Sequence, residues 1–291
     1  MRPTLHLQNL GLRLLLPCLV APLWAQATPT AEASPAAAPL PAKADPEAFK
    51  RLPRLLVRDA IHVVTRPADW EASDWKQVGL GAAAVLGAGL ALDTSLDRAF
   101  TRNAKPSWDN LAKNVEYLGG TGSLIIAGGV YLGGAALKDP ALRAVGIDAG
   151  MAMVIAQLTL TIPLKVLAGR SRPNAGEGSS HFKPLTGGQS FPSGHTTQAF
   201  VLASVISGHA DQPWVTGVSY GLATLVGVAR MEQRAHFLSD VLGGAVIGTF
   251  VGREVVRFNQ SLRSSAQGGV KVSFQPLLGA GYQGATVRVS F

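Results

Sequence analysis

The chain has 291 residues, of which 47% are hydrophobic and only 15% are charged, and its mean hydropathy is +0.22. A soluble domain usually carries more charge, so this composition favours apolar helices that pack in or at a membrane, although soluble helical proteins stay open. The formal charge of +8 suits anionic lipids or phosphorylated ligands, and the scattered aromatic residues predict no nucleic-acid surface.

The N-terminus has the pattern of a secretory signal over residues 1–27. Arg2 and Arg13 precede an apolar centre and a small-residue cleavage pattern, and an uncleaved anchor helix is the alternative. Cys18, the only cysteine, lies in this segment, so the rest of the chain can form neither a disulfide nor a thiolate metal site. Residues 28–48, rich in Ala and Pro, predict a disordered linker.

Residues 49–76 predict an amphipathic, interfacial segment. Its helical stripe can lie in a bilayer interface or dock on the protein's own core, and the sequence leaves both open. Trp70 and Trp75 lie after this stripe and just before the next apolar segment, where interfacial tryptophans are expected. The stripe consists of Leu52, Leu55, Leu56, Ala60, Val63 and Val64.

Residues 77–257 contain five or six apolar segments and no extended alternating pattern, which predicts an all-α domain. The second and third segments are long enough to cross a bilayer. The 93–114 stretch is interpreted as a break between helices. The segments are approximately Val78–Leu92, Val115–Leu137, Val145–Leu164, Thr196–Ser207, Trp214–Val228 and Val241–Val251.

Residues 258–291 form the C-terminal tail. Val270–Phe274 and Thr286–Phe291 alternate between polar and apolar residues around a glycine-containing turn. This pattern predicts a short β-hairpin appended to the helical domain.

Lys165 and Arg172 form the first of three clusters that carry chemistry. They are two helical turns apart, and Pro173 pushes Arg172 toward an extended backbone, so the helix is expected to end between the two cations. A guanidinium fork and a mobile ammonium suit the oxygens of a phosphate group. Taken alone, such a pair is more often a topology signal at the end of a membrane helix.

Ser193, Gly194 and His195 form the second cluster, just before an apolar run. Ser193 is a candidate helix N-cap, and Gly194 lets the backbone approach a ligand closely. The helix N-terminus then faces an anion, and His195 is placed to donate a proton to a leaving-group oxygen. An ordinary helix start is the more common meaning of Ser-Gly by itself.

Arg230, His236 and Asp240 form the third cluster. The four-residue spacing puts His236 and Asp240 on one helix face, where the carboxylate can orient the ring and leave its other nitrogen free as a nucleophile. A surface His–Asp pair is the plainer alternative. No grouping of acidic residues and histidines resembles a dinuclear metal site, so catalysis without a metal or cofactor is predicted.

In this order and spacing, the three clusters resemble the type-2 phosphatidic acid phosphatase and vanadium haloperoxidase superfamily over about residues 78–252. The resemblance implies a six-helix bundle, embedded in the membrane in the bacterial members that this chain is similar to. It also implies that His195 is the general acid and that His236 is the nucleophile, which forms a phosphohistidine and is oriented by Asp240. Ala229 stands where the family commonly has Ser. The implied phosphate-binding residues are Lys165, Arg172, Ser193, Gly194 and Arg230.

The leading hypothesis is therefore a metal-independent phosphatase acting on a membrane lipid phosphate, in the inner membrane with its site facing the periplasm. The alternatives are a soluble periplasmic acid phosphatase, a vanadium haloperoxidase and an inactive lipid-binding protein. No protein partner is inferred.

The predicted signal segment conflicts with a periplasmic site if Val78–Leu92 spans the membrane. After signal cleavage, a spanning Val78–Leu92 would put the clusters in the cytoplasm. We therefore expect this helix to pack without spanning, or the signal assignment to be wrong. The basic residues Arg98, Arg102, Lys105 and Lys113 fit a cytoplasmic loop, which favours six spans with a cytoplasmic N-terminus and argues against the signal segment.

Overall fold

The computed structural model describes residues 46–267, 271–279 and 282–290. The predicted signal segment (1–27) and nearly all of the predicted linker (28–48) lie outside the described residues. The first helix begins at Pro46, slightly before the predicted end of the linker.

All regular elements within residues 46–267 are helical, which confirms the all-α prediction for that part of the chain. Short 3-10 turns cover Arg66–Asp69 and Pro173–Ala175, and a π-helical segment, Ala156–Thr161, continues α6 into α7. The α-helices are α1 (Pro46–Thr65), α2 (Ala72–Ala91), α3 (Asp93–Arg102), α4 (Pro106–Glu116), α5 (Gly120–Ala136), α6 (Pro140–Ile155), α7 (Ile162–Ala168), α8 (Gly194–His209), α9 (Pro213–Glu232) and α10 (Leu238–Gln267).

Two antiparallel strands follow the helices, β1 (Lys271–Gly279) and β2 (Tyr282–Ser290). Lys271 pairs with Ser290 and Gly279 with Tyr282, so the two strands are in register along their whole length.

Helix α8 is the centre of the bundle. Its residues are buried continuously from Thr196 to Val205, and it packs most extensively against α10 and α9. The largest core cluster joins α8 to α6 and its π-helical continuation, to α10, and to one residue each of α1 and α5. Its members include Val63, Met153, Ile155, Val201, Leu202, Val205, Val251, Val255 and Val256.

Glycines bring the backbone of α10 against α8. Gly244, Gly248 and Gly252 lie at four-residue intervals, so they share one face of α10. A Cβ built on Gly248 would lie 2.3 Å from the Thr197 carbonyl oxygen, and one on Gly244 would lie 2.6 Å from that of Ser193. The two helices therefore approach to a distance that no larger residue permits at these positions.

A buried polar cluster at the opposite end of α8 ties α1 to the bundle. Asp148 accepts hydrogen bonds from Arg263 and Asn259 and lies 2.9 Å from His209 Nε2. Asn259 also donates to Asp59 of α1 at 2.9 Å. Because both carboxylates are fully buried, these contacts supply the partners that charged groups need inside a protein.

Helix α1 therefore docks on the protein's own core through one face, which includes the buried Val63. Its other side is also apolar, because Val57, Ile61 and Val64 are each more than half exposed. Val64 was predicted to share the stripe of Val63, but it faces outward.

Helices α3 and α4 occupy the 93–114 stretch, so its interpretation as a simple break is wrong. Both helices have one apolar side, which packs on the bundle at the end that carries the three clusters. Arg234, in the third cluster's loop, donates to Asp97 of α3 at 2.9 Å.

The described residues contain one helix that is long and apolar enough to cross a membrane, Pro140–Ala168. There are up to three such spans if each of two bent pairs counts as one: α2 with α3, bent by 58°, and α4 with α5, bent by 46°. The predicted segment Val115–Leu137 is thus divided at residues 117–119, between α4 and α5.

The close approach of α10 and α8 predicts that Gly248→Ala destabilises the fold. The added methyl forces the helices apart, and we expect a loss of about 1–3 kcal/mol in the free energy of unfolding, measured by thermal or denaturant unfolding in detergent. Gly217→Ala in α9 is the control, since an added Cβ there meets no described atom within 4 Å. It should be neutral or stabilise by up to about 1 kcal/mol. Equal effects of the two substitutions would contradict the packing argument.

Candidate active site

Lys165 and Arg172 lie on either side of a helix end, as their spacing predicts. Helix α7 stops at Gly169, whose φ of +56° is left-handed, and Arg172 is extended with ψ of 155° before Pro173. Lys165 Nζ donates to the Gln189 carbonyl at 2.5 Å. Its side chain passes close to α8, because a Cβ built on Gly194 would lie 3.9 Å from Lys165 Cε.

Ser193 caps helix α8, also as predicted. Its Oγ accepts from the Thr196 backbone N–H at 3.4 Å and from the Thr196 hydroxyl at 2.9 Å. Its own N–H donates to the Asp240 carbonyl at 2.9 Å, which joins the starts of α8 and α10. Ser193 is fully buried, whereas Gly194 and His195 are partly exposed at the helix end. The phosphate contact assigned to Ser193 therefore stays a prediction.

His195 packs closely against two glycines at the start of α5. A Cβ on Gly120, whose φ is +55°, would lie 2.7 Å from His195 Nε2, and one on Gly119 would lie 2.7 Å from the His195 carbonyl oxygen. Burial, followed by the charges of Arg172 and Lys165, lowers the pKa of His195. A lower pKa makes the protonated ring a stronger acid.

His236 lies in the loop between α9 and α10, which curls back on Arg230. The Arg230 carbonyl accepts from the N–H groups of Ala235 at 3.0 Å and His236 at 3.3 Å, and Arg234 takes a left-handed φ of 52° to close the turn. This local path explains the spacing between Arg230 and His236. Only 3% of His236 is exposed.

His236 Nδ1 faces Asp240, and Nδ1 and Oδ2 are 3.8 Å apart. This distance exceeds a hydrogen bond, and within the described residues Nδ1 has no hydrogen-bond partner. The predicted pairing therefore has the right orientation without a closed contact. Burial lowers the pKa of His236 to about 4, although Asp240 opposes the shift. The ring is consequently neutral near pH 7, which leaves a nitrogen lone pair available.

Asp240 is fixed by three donors, and its carboxylate is fully buried. Oδ1 accepts from Arg170 Nη1 at 2.6 Å, while Oδ2 accepts from the Ser190 hydroxyl at 2.6 Å and the Phe237 N–H at 2.8 Å. Burial alone would raise the pKa of Asp240. The His236 ring and the Arg170 cation outweigh burial and lower it. The carboxylate is thus held charged and immobile beside His236.

Arg170 was missed by sequence reasoning. It is 3% exposed, and its guanidinium lies over the Phe237 ring at 4.4 Å and the Phe182 ring at 5.1 Å. Besides Asp240, it donates to Asp93 at 2.7 Å. The only local signal is the position of Arg170, two residues before Arg172. That position does not reveal that its partners Asp93 and Asp240 are 77 and 70 residues away.

Arg230, the third cation of the clusters, is 8% exposed and contacts Glu116 of α4 and Gln233. Sequence reasoning also missed Glu116.

Gln157 was missed as well: it lies in the π-helical segment, and its Nε2 donates to the Gly194 carbonyl at 3.4 Å. Such π-segments are frequent at functional sites, so their presence is a signal that only the structure supplies.

The structure thus gathers the predicted residues at one end of the bundle. The charges of Lys165 and Arg172 act on His195, and those of Lys165 and Arg230 act on His236. Among the described residues, no three His, Cys, Asp or Glu side chains are grouped as metal ligands. The independence from metal stays a prediction.

Burial of neutral His236 predicts a fold that weakens in acid. Its pKa is about 4 in the fold and about 6.5 in the unfolded chain, so the unfolded state binds more protons between these values. Stability should therefore fall as pH drops through that window, by roughly 3 kcal/mol more in the wild type than in His236→Gln. Unfolding at a series of pH values checks this, and an identical loss in both proteins would contradict it.

Comparison with known proteins finds a family match over the part of the chain that contains this site. The model of the PAP2 superfamily matches residues 146–264, which include every predicted site residue. A lipid A 1-phosphatase from Porphyromonas gingivalis is 38% identical over 69 residues, a stretch that covers 23% of this chain and only 16% of that relative.

Two solved structures are also similar. LpxE from Aquifex aeolicus is 25% identical with a TM-score of 0.46, and the match covers 57% of this chain and 96% of that one. A transmembrane PAP2-type phosphatidylglycerolphosphate phosphatase from Bacillus subtilis is 20% identical with a TM-score of 0.46, and the match covers 73% and 97%. The family match over residues 146–264 confirms the resemblance seen in the three clusters, which is a resemblance to the PAP2, or type-2 phosphatidic acid phosphatase, superfamily.

Proposed function

We propose that this protein is a phosphatase that removes phosphate from phosphomonoester or diphosphate groups, most favourably on a membrane lipid. The observation that carries the proposal is the gathering of three cations and two histidines at the end of an apolar-faced bundle. Lys165, Arg172 and Arg230 supply the positive charge that stabilises a transferring phosphoryl group.

In the first step, His236 attacks phosphorus through Nε2, since Nδ1 faces Asp240. The new N–P bond forms as the bond between phosphorus and the leaving oxygen breaks, and His195 donates its proton to that oxygen. His236 becomes positively charged, and the fixed carboxylate of Asp240 stabilises this charge. The low pKa of His236 supports the step, because the attacking ring must be neutral.

In the second step, water attacks the phosphohistidine. His195, neutral after the first step, accepts a proton from the water as the P–N bond breaks, and phosphate leaves. The same residue therefore acts first as acid and then as base. The short distance between its ring and Gly120 supports one fixed position for both roles.

The outer surface of the bundle supports a lipid substrate and a membrane location. Large apolar side chains are highly exposed on several helices, including Leu90 at 90%, Ile125 at 69% and Trp214 at 69%. So many exposed apolar groups are unusual on a soluble monomer and suit contact with lipid. The lipid A 1-phosphatase relative supports the same substrate class. The location that we propose is the inner membrane, with the site facing the periplasm.

Activity against a panel of lipid phosphates tests the proposal. Purified protein in detergent with EDTA should release phosphate from one or more of phosphatidic acid, phosphatidylglycerol phosphate, undecaprenyl diphosphate and lipid A. His236→Ala should reduce the rate at least about 1,000-fold, because it removes the nucleophile. His62→Ala, at the other end of the bundle, should stay within about twofold of wild type. Full activity in His236→Ala would sink the mechanism.

A soluble acid phosphatase of the same superfamily is the second candidate. It is favoured by the single unbent helix of spanning length among the described residues. Extraction from cell envelopes distinguishes the two: release into buffer without detergent, with a preference for water-soluble phosphomonoesters, would replace the lipid proposal.

The contact between Gly120 and His195 predicts a loss that depends on the leaving group. Gly120→Ala would displace the general acid, so we expect turnover of an alkyl phosphate to fall at least about tenfold more than that of p-nitrophenyl phosphate, whose leaving group needs little protonation. Gly128→Ala is the control in the same helix, because an added Cβ there meets no described atom within 4 Å. Equal losses on both substrates would argue against the acid role of His195.

A further inference from the structure

Asp93 lies behind the site and touches none of the predicted catalytic or phosphate-binding residues directly. It begins α3 and is 1% exposed. Oδ1 accepts from the Ser239 N–H at 2.9 Å, and Oδ2 accepts from the Ser239 hydroxyl at 2.5 Å and from Arg170 Nη2 at 2.7 Å. All of these partners donate, which suits an ionised carboxylate, because that group only accepts.

Arg170 is thus shared between two buried carboxylates. Its Nη2 contacts Asp93, while Nη1 contacts Asp240 at 2.6 Å. The three groups together have one net negative charge. Without Asp93, the guanidinium would neutralise Asp240 alone, and the cluster would have no net charge to offer a positive ring.

The charge of this cluster matters because His236 becomes positive during the proposed transfer. Charges interact strongly in a site from which water is excluded, and His236, Asp240 and Asp93 are all nearly or fully buried. Asp93 also holds the Ser239 backbone next to Asp240, so it constrains the carboxylate's position as well as its effective charge.

We propose that Asp93 is a positioning residue for phosphoryl transfer at His236: it divides the charge of Arg170 so that Asp240 stays oriented and effectively negative. This rests on the proposed function. Asp93 acts through Arg170 and Asp240, and it makes no contact with the phosphate itself.

The first test is Asp93→Asn in the full-length protein in detergent. The amide keeps the shape but loses the charge, so kcat should fall at least about tenfold while KM stays within about twofold. Asp97→Asn is the matched control, since Asp97 is on the same helix and pairs with Arg234 of the third cluster's loop. It should change kcat by less than about twofold.

A second variant separates charge from mere packing. Asp93→Asn combined with Arg170→Gln removes one charge of each sign and restores the net negative charge on Asp240. The proposal predicts a higher kcat for this double variant than for Asp93→Asn alone. A purely structural role predicts that the second substitution in the core lowers kcat further.

The outcomes distinguish the two levels of the proposal. An inactive wild type across the lipid panel would overturn the proposed function. An active wild type with equal kcat in Asp93→Asn and Asp97→Asn would overturn only the role of Asp93. Loss of folding in both Asp93→Asn and the double variant, judged by size-exclusion chromatography, would show a need for stability alone and would also overturn that role.

Discussion

The approach of α10 to α8 is the constraint on which the site depends. Glycines at 244, 248 and 252 let the two backbones touch, and the Ser193 N–H donates to the Asp240 carbonyl where both helices begin. This single packing fixes the histidine that follows the α8 cap relative to the histidine that precedes α10. A bulkier residue in the glycine row would separate the two histidines that the proposed mechanism brings to one phosphorus atom.

The charged groups at this end of the bundle are of two kinds: cations near the two histidines, and buried charges that are neutralised by partners of opposite charge. The charges of Lys165, Arg172 and Arg230 act on the two histidines, and Arg230 is in turn paired with Glu116. Behind His236, Arg170 is balanced by two buried carboxylates and stacked between aromatic rings. Buried charges of this kind are tolerated only because each has opposite charge or hydrogen-bond partners nearby.

The elements most evident in the sequence were those whose pattern is local. Ser193 as an N-cap, the helix end between Lys165 and Arg172, and the all-α class follow from short-range preferences of the backbone. The 93–114 stretch was misjudged because α3 and α4 are short and only one side of each is apolar. Their position at the site end depends on contacts such as that between Asp97 and Arg234, 137 residues apart.

The sequence by itself indicated the candidate reacting groups and the resemblance to the PAP2 superfamily, because the spacing of histidine, carboxylate and cations reflects local geometry that any helix or turn imposes. Only the tertiary structure decided which groups hold them. Asp93, Glu116, Ser190 and Gly120 have no local signature, since each acquires its role from a partner on a distant element. Even the distance between His236 and Asp240 was decided by packing, because burial and the donors around Asp240 set where its carboxylate lies.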